Sequence, residues 1–205
     1  MPVGAITGFI IAGGKSSRMG TEKALLSIHG KTLIDIAIGQ ARSICEDILI
    51  AGPKETFSAY GRIVTDIYKD CGPLGGIHAA LGRSETELNL MIAVDTPFLS
   101  KEFLVYLAAE ARRTKTMVTL PRTVAGLQPL CAIYSLDFLP VAEKALQEKR
   151  LKLDALFHPA TTHVVDLEHA EMKQRGFNAA LFDNLNTRED YERVRREKKS
   201  RPANP

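Results

Sequence analysis

Near the start of the chain, glycines and cations crowd into one stretch, Ile11-Ala-Gly-Gly-Lys-Ser-Ser-Arg-Met-Gly20, with Lys23 shortly after. Gly13 and Gly14 let a backbone approach a ligand closely, with N–H donors turned toward phosphate or base. Arg18 supplies a planar fork and Lys23 a point charge, and together they can neutralise a triphosphate. Two familiar phosphate loops are excluded. A Walker A loop needs a glycine five residues before Gly14, where Phe9 stands, and no G-x-G-x-x-G spacing occurs here. An isolated Gly-Gly also serves as a plain strand-to-helix turn; the accompanying Arg18 and Lys23 weigh toward phosphate chemistry.

Carboxylates recur where apolar runs end. Asp95, in Ile92-Ala-Val-Asp-Thr-Pro-Phe98, follows the most continuous apolar run, and Pro97 forces the chain to turn after it. A carboxylate there suits a hard cation such as Mg²⁺, which takes one or two carboxylates plus phosphate oxygens and water. An aspartate at that place also caps turns, so the residue type alone leaves both roles open. Asp66 closes the short run Arg62-Ile-Val-Thr65, as a ligand or as a loop acid. Asn186, in Asn184-Leu-Asn186-Thr187, can give a second oxygen to a metal or simply precede a helix cap. The five histidines show no ligand spacing. Cys45, Cys71 and Cys131 are odd in number and far apart, which argues against a disulfide framework or a zinc site and fits reduced thiols in a cytoplasm.

The elements that must position these residues alternate. Strands are expected at Thr7–Ile11, Asp47–Ala51, Arg62–Thr65, Leu88–Val94, Met117–Leu120, Leu130–Tyr134 and His163–Asp166. Helical periodicity marks Lys31–Cys45, with Leu33, Ile34, Ala37, Ile38, Ala41 and Ile44 on one face. Further helices are expected at Leu74–Leu81 after the turn Gly72-Pro73, from a Ser100 cap to Arg113, at Leu136–Lys149, and at Thr187–Lys198, where Thr187 caps two residues before Glu189. This alternation predicts an α/β fold: three layers, a mostly parallel sheet with helices on both faces. In such folds ligands gather beyond the carboxyl ends of the strands, where the glycine stretch, Asp66 and Asp95 all fall.

A length of 205 residues suggests one domain, residues 1–198, followed by a basic, disordered tail at 199–205. Hydrophobic residues make up 45% and charged residues 25%, which excludes a disordered or fibrous chain. The net charge of +3 is concentrated in Arg193-Val-Arg-Arg-Glu-Lys-Lys-Ser-Arg201. No aromatics interleave with those charges, so a solvated helix end is expected rather than a nucleic-acid arm. The apolar stretch Ile6–Ala12 is too short to span a bilayer, so neither nucleic acid nor membrane is expected as a partner.

The glycine stretch resembles the signature L-A-G-G-x-S-x-R-M-G-x-D-K of the molybdenum cofactor guanylyltransferases, with Ile11 at its first position and Glu22 for the aspartate before Lys23. Gly72-Pro-Leu-Gly-Gly-Ile77 resembles that family's G-P-L-[AG]-G-[IM], and Val94-Asp-Thr-Pro-Phe98 its C-D-x-P-[FY], with Val94 in place of the cysteine. Gln128-Pro-Leu-Cys-Ala132 resembles its [HQ]-P-[LT]-x-A, and Asn184 to Asp190 its closing N-[IV]-N-T-P-E-[DE], with Arg188 in place of proline. The resemblance runs in order from Ile6 to about Tyr191. It implies a Rossmann-like nucleotidyltransferase fold. The implied chemistry is transfer of GMP from GTP onto the phosphate of the molybdenum–pterin cofactor, with Mg²⁺ on Asp95. Ile11, Ala12, Gly13, Gly14, Lys23, Asp66, Gly75, Asp95 and Asn186 would contact nucleotide or metal, and Arg18, Lys23 and Asp95 would carry catalysis. It also implies that the Gln128 segment borders the acceptor, with Arg122 near its phosphate, and that the unstable product is passed to delivery or recipient proteins. One departure stands out: the asparagine usual after the family's second strand is missing from Ile50-Ala-Gly-Pro53.

Three other readings compete. A related cytidylyltransferase, or a guanylyltransferase with another phosphorylated acceptor, shares the scaffold. The CTP-using relatives tend to carry A-A-G where this chain has Ala12-Gly13-Gly14, and the smaller residue leaves room for a purine. A non-catalytic nucleotide-binding protein would have no need of Asp95, and a redox Rossmann protein would need the missing fingerprint.

Overall fold

The computed structural model describes residues 5–13, 23–185 and 187–197, without the side chains of residues 188 and 195–197. The expected positions Gly14, Arg18 and Asn186 lie outside the described residues, as does the basic tail. The order of elements is β1 (Ile6–Ile11), β2 (Ser27–Ile28), β3 (Lys31–Thr32), α1 (Leu33–Ala41), β4 (Asp47–Ala51), α2 (Lys54–Phe57), β5 (Arg62–Val64) and α3 (Gly72–Arg83). Then come β6 (Leu88–Ala93), α4 (Lys101–Thr114), β7 (Val118–Thr123), β8 (Gly126–Leu127) and β9 (Cys131–Ser135). The chain closes with α5 (Leu139–Gln147), β10 (Thr162–Asp166), α6 (Ala170–Gln174) and α7 (Arg188–Glu197).

The main sheet runs β10-β7-β9-β6-β1-β4-β5, with β8 added beside β7. Strands β5, β4, β1 and β6 are parallel neighbours, and β10 is parallel to β7. β9 runs against both β6 and β7. The expected mostly parallel, three-layer architecture is therefore present, with one reversed strand in its middle.

Alternation along the central strands sorts the core into two layers. Ile6, Ile10, Leu90 and Ile92 pack with Ile34, Ala37, Ile38 and Ala41 of α1 and Phe103, Leu104 and Leu107 of α4. Phe9, Ile11 and Met91 face the other way, onto Leu74, Ile77 and Leu81 of α3 and Ala142, Ala145 and Leu146 of α5. Such two-sided burial is why these strands read as continuous apolar runs. Gly8 has to be small: a Cβ there would lie 3.1 Å from Cys45 Sγ and 3.3 Å from Ala41 Cβ.

Several boundaries move for local reasons. The helix expected from Lys31 starts at Leu33, because Thr32 and Asp35 form a reciprocal capping box and Lys31–Thr32 pair with β2 instead. Ser100 caps α4 as expected, its hydroxyl accepting from the Phe103 N–H at 3.2 Å. Thr187 caps α7 through Asp190, three residues on, rather than Glu189: the Asp190 N–H donates to Thr187 Oγ1 at 3.1 Å and the Thr187 N–H to Asp190 Oδ2 at 3.0 Å.

Candidate active site

Four parallel strands deliver their carboxyl ends to one edge. Chain leaving β1 gives Ala12 and Gly13, β4 ends at Ala51, β5 leads to Asp66 and β6 to Asp95. Cross-links hold these exits in register. The N–H groups of Ala12 and Gly13 both donate to the Ala51 carbonyl, at 2.9 and 3.1 Å, and Val94 N–H donates to the Ile11 carbonyl at 3.3 Å. The expectation that the Gly13 N–H points at a ligand is thus corrected, since that donor is committed to Ala51. What Gly13 offers is the missing side chain, for a Cβ would meet nothing nearer than Ala51 O at 3.8 Å.

Beside β1, β4 and the start of α3 lies a pocket of about 420 Å³ lined by Ile11, Gly13, Ala51, Asp66, Asp70 and Gly76, among others. Its walls are largely backbone and small side chains, apart from the two carboxylates. Gly76 opens it toward Asp66, since a Cβ there would lie 3.9 Å from Asp66 Oδ1 and 3.9 Å from Ile11 Cγ2. Gly75 works from behind: its Cβ would stand 2.9 Å from the Tyr68 carbonyl oxygen, so the loop carrying Asp66 can seat on α3 only if residue 75 has no side chain. Partial burial pushes the Asp66 carboxyl above its ordinary pKa. Asp70 and Gly72 adopt left-handed backbone, with φ of 57° and 58°, which folds the chain sharply into the helix start. Sequence reasoning passed over Asp70, and the one hint available was its place two residues before the Gly72-Pro73 turn.

At the end of β6, the strand beside β1, Lys23 and Asp95 form an ion pair, with Nζ 2.9 Å from Oδ2. Both are mostly shielded, with side chains 15% and 26% exposed, so the attraction is less screened than on an open surface. The loop after Asp95 is anchored twice by Gln40 of α1, whose side-chain amide donates to the carbonyls of Thr96 at 3.2 Å and Leu99 at 3.1 Å. The hydroxyl of Thr96 turns back to the Ala93 carbonyl at 3.0 Å. The Leu185 N–H donates to the Asp95 carbonyl at 3.1 Å.

Among the described residues no three His, Cys, Asp or Glu side chains gather as a metal cage. A shielded carboxylate at a strand end, such as Asp95, is a donor that would fit a magnesium ion completing its shell with phosphate oxygens and water.

The structure therefore brings Ile11, Gly13 and Asp66 to one pocket, with Gly75 supporting it, and Lys23 to Asp95, whereas Ala12 is buried in the opposite layer with α1 and α4. Arg122 is held elsewhere: its guanidinium pairs with Asp166 at 2.5 Å, and that contact, first of several causes, keeps the Asp166 carboxyl below its ordinary pKa. Where the family asparagine is missing, the Ala51 backbone occupies the pocket wall. Gly52 beyond it lies against Phe57, where a Cβ would be 3.0 Å from the ring.

A family model described as the MobA-like NTP transferase domain matches residues 8–163. The molybdenum cofactor guanylyltransferase of Desulfosudis oleivorans is 32% identical over 195 residues, covering 93% of this chain and 94% of the relative. The crystal structure of molybdopterin-guanine dinucleotide biosynthesis protein A from Archaeoglobus fulgidus superposes with a TM-score of 0.79 at 22% identity, covering 95% of this chain and all of that one. A Mycobacterium tuberculosis protein solved in complex with manganese shares the fold, with a TM-score of 0.62 at 16% identity over 93% of this chain and 97% of its own. Among the described residues no helix is long and apolar enough to cross a membrane.

Proposed function

The chain belongs to the MobA-like NTP transferase family, and from that premise we propose how its residues divide the work of guanylyl transfer. It is a nucleotidyltransferase, a molybdenum cofactor guanylyltransferase like the relative from Desulfosudis oleivorans, in which GMP passes from GTP to the phosphate of the molybdenum–pterin cofactor. An oxygen of the acceptor phosphate forms a new bond to the α-phosphorus. The bond from that phosphorus to its β-bridging oxygen breaks, and pyrophosphate leaves with the electron pair. The attacking oxygen is already anionic, so no general base is needed, and the protein's task is positioning and charge neutralisation.

In this reading the guanosine end occupies the pocket of Ile11, Gly13, Ala51, Asp66 and Gly76. The Asp66 carboxylate there presents two acceptors to the adjacent N–H donors of a guanine edge or to ribose hydroxyls. Gly13 supports a purine, because a side chain in its place would narrow the pocket beside Ala51. The triphosphate then runs across the end of β1 toward Lys23, whose ammonium offsets charge developing on the leaving phosphates. Arg18, outside the described residues, is assigned the same duty. Asp95 would hold Mg²⁺, which when bound supplies Lewis-acid neutralisation of phosphate oxygens. The Lys23–Asp95 pairing keeps both groups at one spot beside the chain exit from β1. Residues 1–198 are read as one domain working in a cytoplasm.

The observation that carries this reading is the Lys23–Asp95 pair at the same strand-end edge as a pocket that Gly13, Gly72 and Gly76 line and that holds an aspartate. Calorimetric titration with GTP, ATP and CTP, with and without Mg²⁺, tests it on wild type and Asp95→Ala. Selective GTP binding, with a magnesium contribution lost in the variant, is expected. A preference for CTP would transfer the pocket to a cytidylyltransferase, and an unchanged magnesium effect in Asp95→Ala would remove Asp95 from the metal site.

A further inference from the structure

Lys23 and Asp95 lie 72 positions apart in sequence and sit on separately folded pieces of chain. Lys23 begins a short 3-10 turn, Lys23–Leu25, that the Leu26 N–H closes on the Lys23 carbonyl at 3.1 Å and that runs into the two-residue strand β2. A hairpin of two-residue strands has almost no ladder of its own, and it takes its place from what covers it. Ala24 and Leu25 of the preceding turn pack into the layer with α1, and the rest of the cover is the last part of the chain. Leu185 and Val194 are buried with Ile28 and Leu33, and Tyr191, Leu26 and Ile36 pack around them. The Tyr191 hydroxyl donates to the Ser27 carbonyl at 2.6 Å. The same segment reaches the other partner directly, through Leu185 N–H on the Asp95 carbonyl at 3.1 Å. One segment thus grips the backbone beside Lys23 with one end and the backbone of Asp95 with the other.

We propose that Tyr191 is a positioning residue for guanylyl transfer: its hydroxyl, fixed on Ser27, sets the hairpin that aims Lys23 at the phosphate site held by Asp95. The inference rests on the assignment of Lys23 and Asp95 to the reaction centre. Tyr191 touches no reacting atom. It acts through the hairpin, so its loss shows in turnover, where a small displacement of a charge-neutralising group is costly, rather than in binding of the guanosine end, which is assigned to the pocket of Ile11, Gly13 and Asp66.

The test compares Tyr191→Phe, Tyr191→Ala, Asp95→Ala and Val165→Ala, the last a buried change in the core near β10 that lowers stability away from both Lys23 and Asp95. Steady-state kcat and KM for GTP, calorimetric GTP affinity and thermal unfolding are measured for each. For Tyr191→Phe the expected result is a kcat reduced about three- to tenfold, with GTP affinity kept within about twofold of wild type, a range that one neutral hydrogen bond at the binding step would exceed. Tyr191→Ala should fall further in kcat with the same small change in affinity, while Val165→Ala should lower the unfolding temperature without lowering kcat. Wild-type kcat in Tyr191→Phe alongside an inactive Asp95→Ala would overturn the inference and leave the reaction centre standing. Equal losses of kcat in Tyr191→Phe and Val165→Ala would overturn it in favour of a purely stabilising contact. Full activity in Asp95→Ala would remove the reaction centre and the inference together.

Discussion

Replacing Gly76 with alanine should make the protein more stable and worse at holding its nucleotide, while the same change one residue earlier should damage both. The two glycines share the first turns of α3, and an alanine at either gains about 0.5–1 kcal/mol of helix stability from reduced backbone entropy. At position 76 nothing opposes that gain in the protein itself, because the new methyl meets Asp66 Oδ1 and Ile11 Cγ2 at 3.9 Å, an ordinary contact distance. For a chain of this size the gain raises the unfolding temperature by about 1–4 °C. The methyl projects into the pocket of about 420 Å³ where the nucleotide is proposed to sit, and displacement of a ligand group there should weaken binding tenfold or more, about 1.4 kcal/mol. At position 75 the methyl would stand 2.9 Å from the Tyr68 carbonyl oxygen, a backbone atom that cannot swing aside. Relieving that overlap costs about 1–3 kcal/mol, outweighs the helical gain, and shifts the loop bearing Asp66. Thermal unfolding without ligand and calorimetric titration with GTP and Mg²⁺ separate the two quantities. Wild-type affinity in a stabilised Gly76→Ala would refute the placement of the nucleotide against Asp66 and Ile11. A stabilised Gly75→Ala would show that the Tyr68 loop yields without cost.

Asp66→Asn should weaken nucleotide binding and at the same time raise stability at neutral pH. The carboxyl's pKa is raised in the folded protein by partial burial, so its contribution to stability is full below its ordinary value and is lost as pH rises through the folded value; urea unfolding of both proteins at acid and neutral pH should show their difference growing with pH, and a difference that shrinks would contradict the assignment. Thiol reactivity gives an independent check of the core. Burial pushes Cys45 up to about 12 and raises Cys131 as well, whereas Cys71 is half-exposed beside the pocket; an alkylating reagent near neutral pH should modify one thiol per folded chain, and nucleotide should slow that reaction. A second thiol reacting as fast would mean that the layer over β1 opens readily.

The strands β1, β4 and β6 were legible because burial on both faces makes them unbroken apolar runs, and Ser100 and Thr187 marked helix starts by cap chemistry. The elements passed over were the ones too short to carry a period: β2, β3 and β8 have two residues each, α2 has four and α6 five. The boundary at Cys45 shows the limit of periodicity, because the apolar spacing continues to Ile44 while α1 ends at Ala41 and the chain goes on in turns. Asp66 and Asp95 could be placed at strand ends from the runs before them. That Lys23 meets Asp95 could not, since only the family signature related two residues 72 apart. Asp70 escaped notice because its left-handed backbone has no sequence mark of its own. Nor could the sequence pair Arg122 with Asp166, which lies 44 residues away on the neighbouring strand.

The reversed strand β9 has a consequence for how the two halves of the site can change. Because it runs against β6, its beginning, not its end, arrives at the edge where the other strands finish. Leu130 there accepts from the Ala93 N–H at 2.8 Å and lines the pocket. The chain reaches that point from the narrow turn at Val124 and the short β8, which projects beside β7 with Val124 80% exposed. Lengthening or recolouring that turn is absorbed beyond the carboxyl end of β7, with the parallel strands that carry Gly13, Asp66 and Asp95 left in register. The architecture thus separates a conserved-geometry side, where any shift of one strand would disturb all its neighbours, from a side that can be refitted one hairpin at a time.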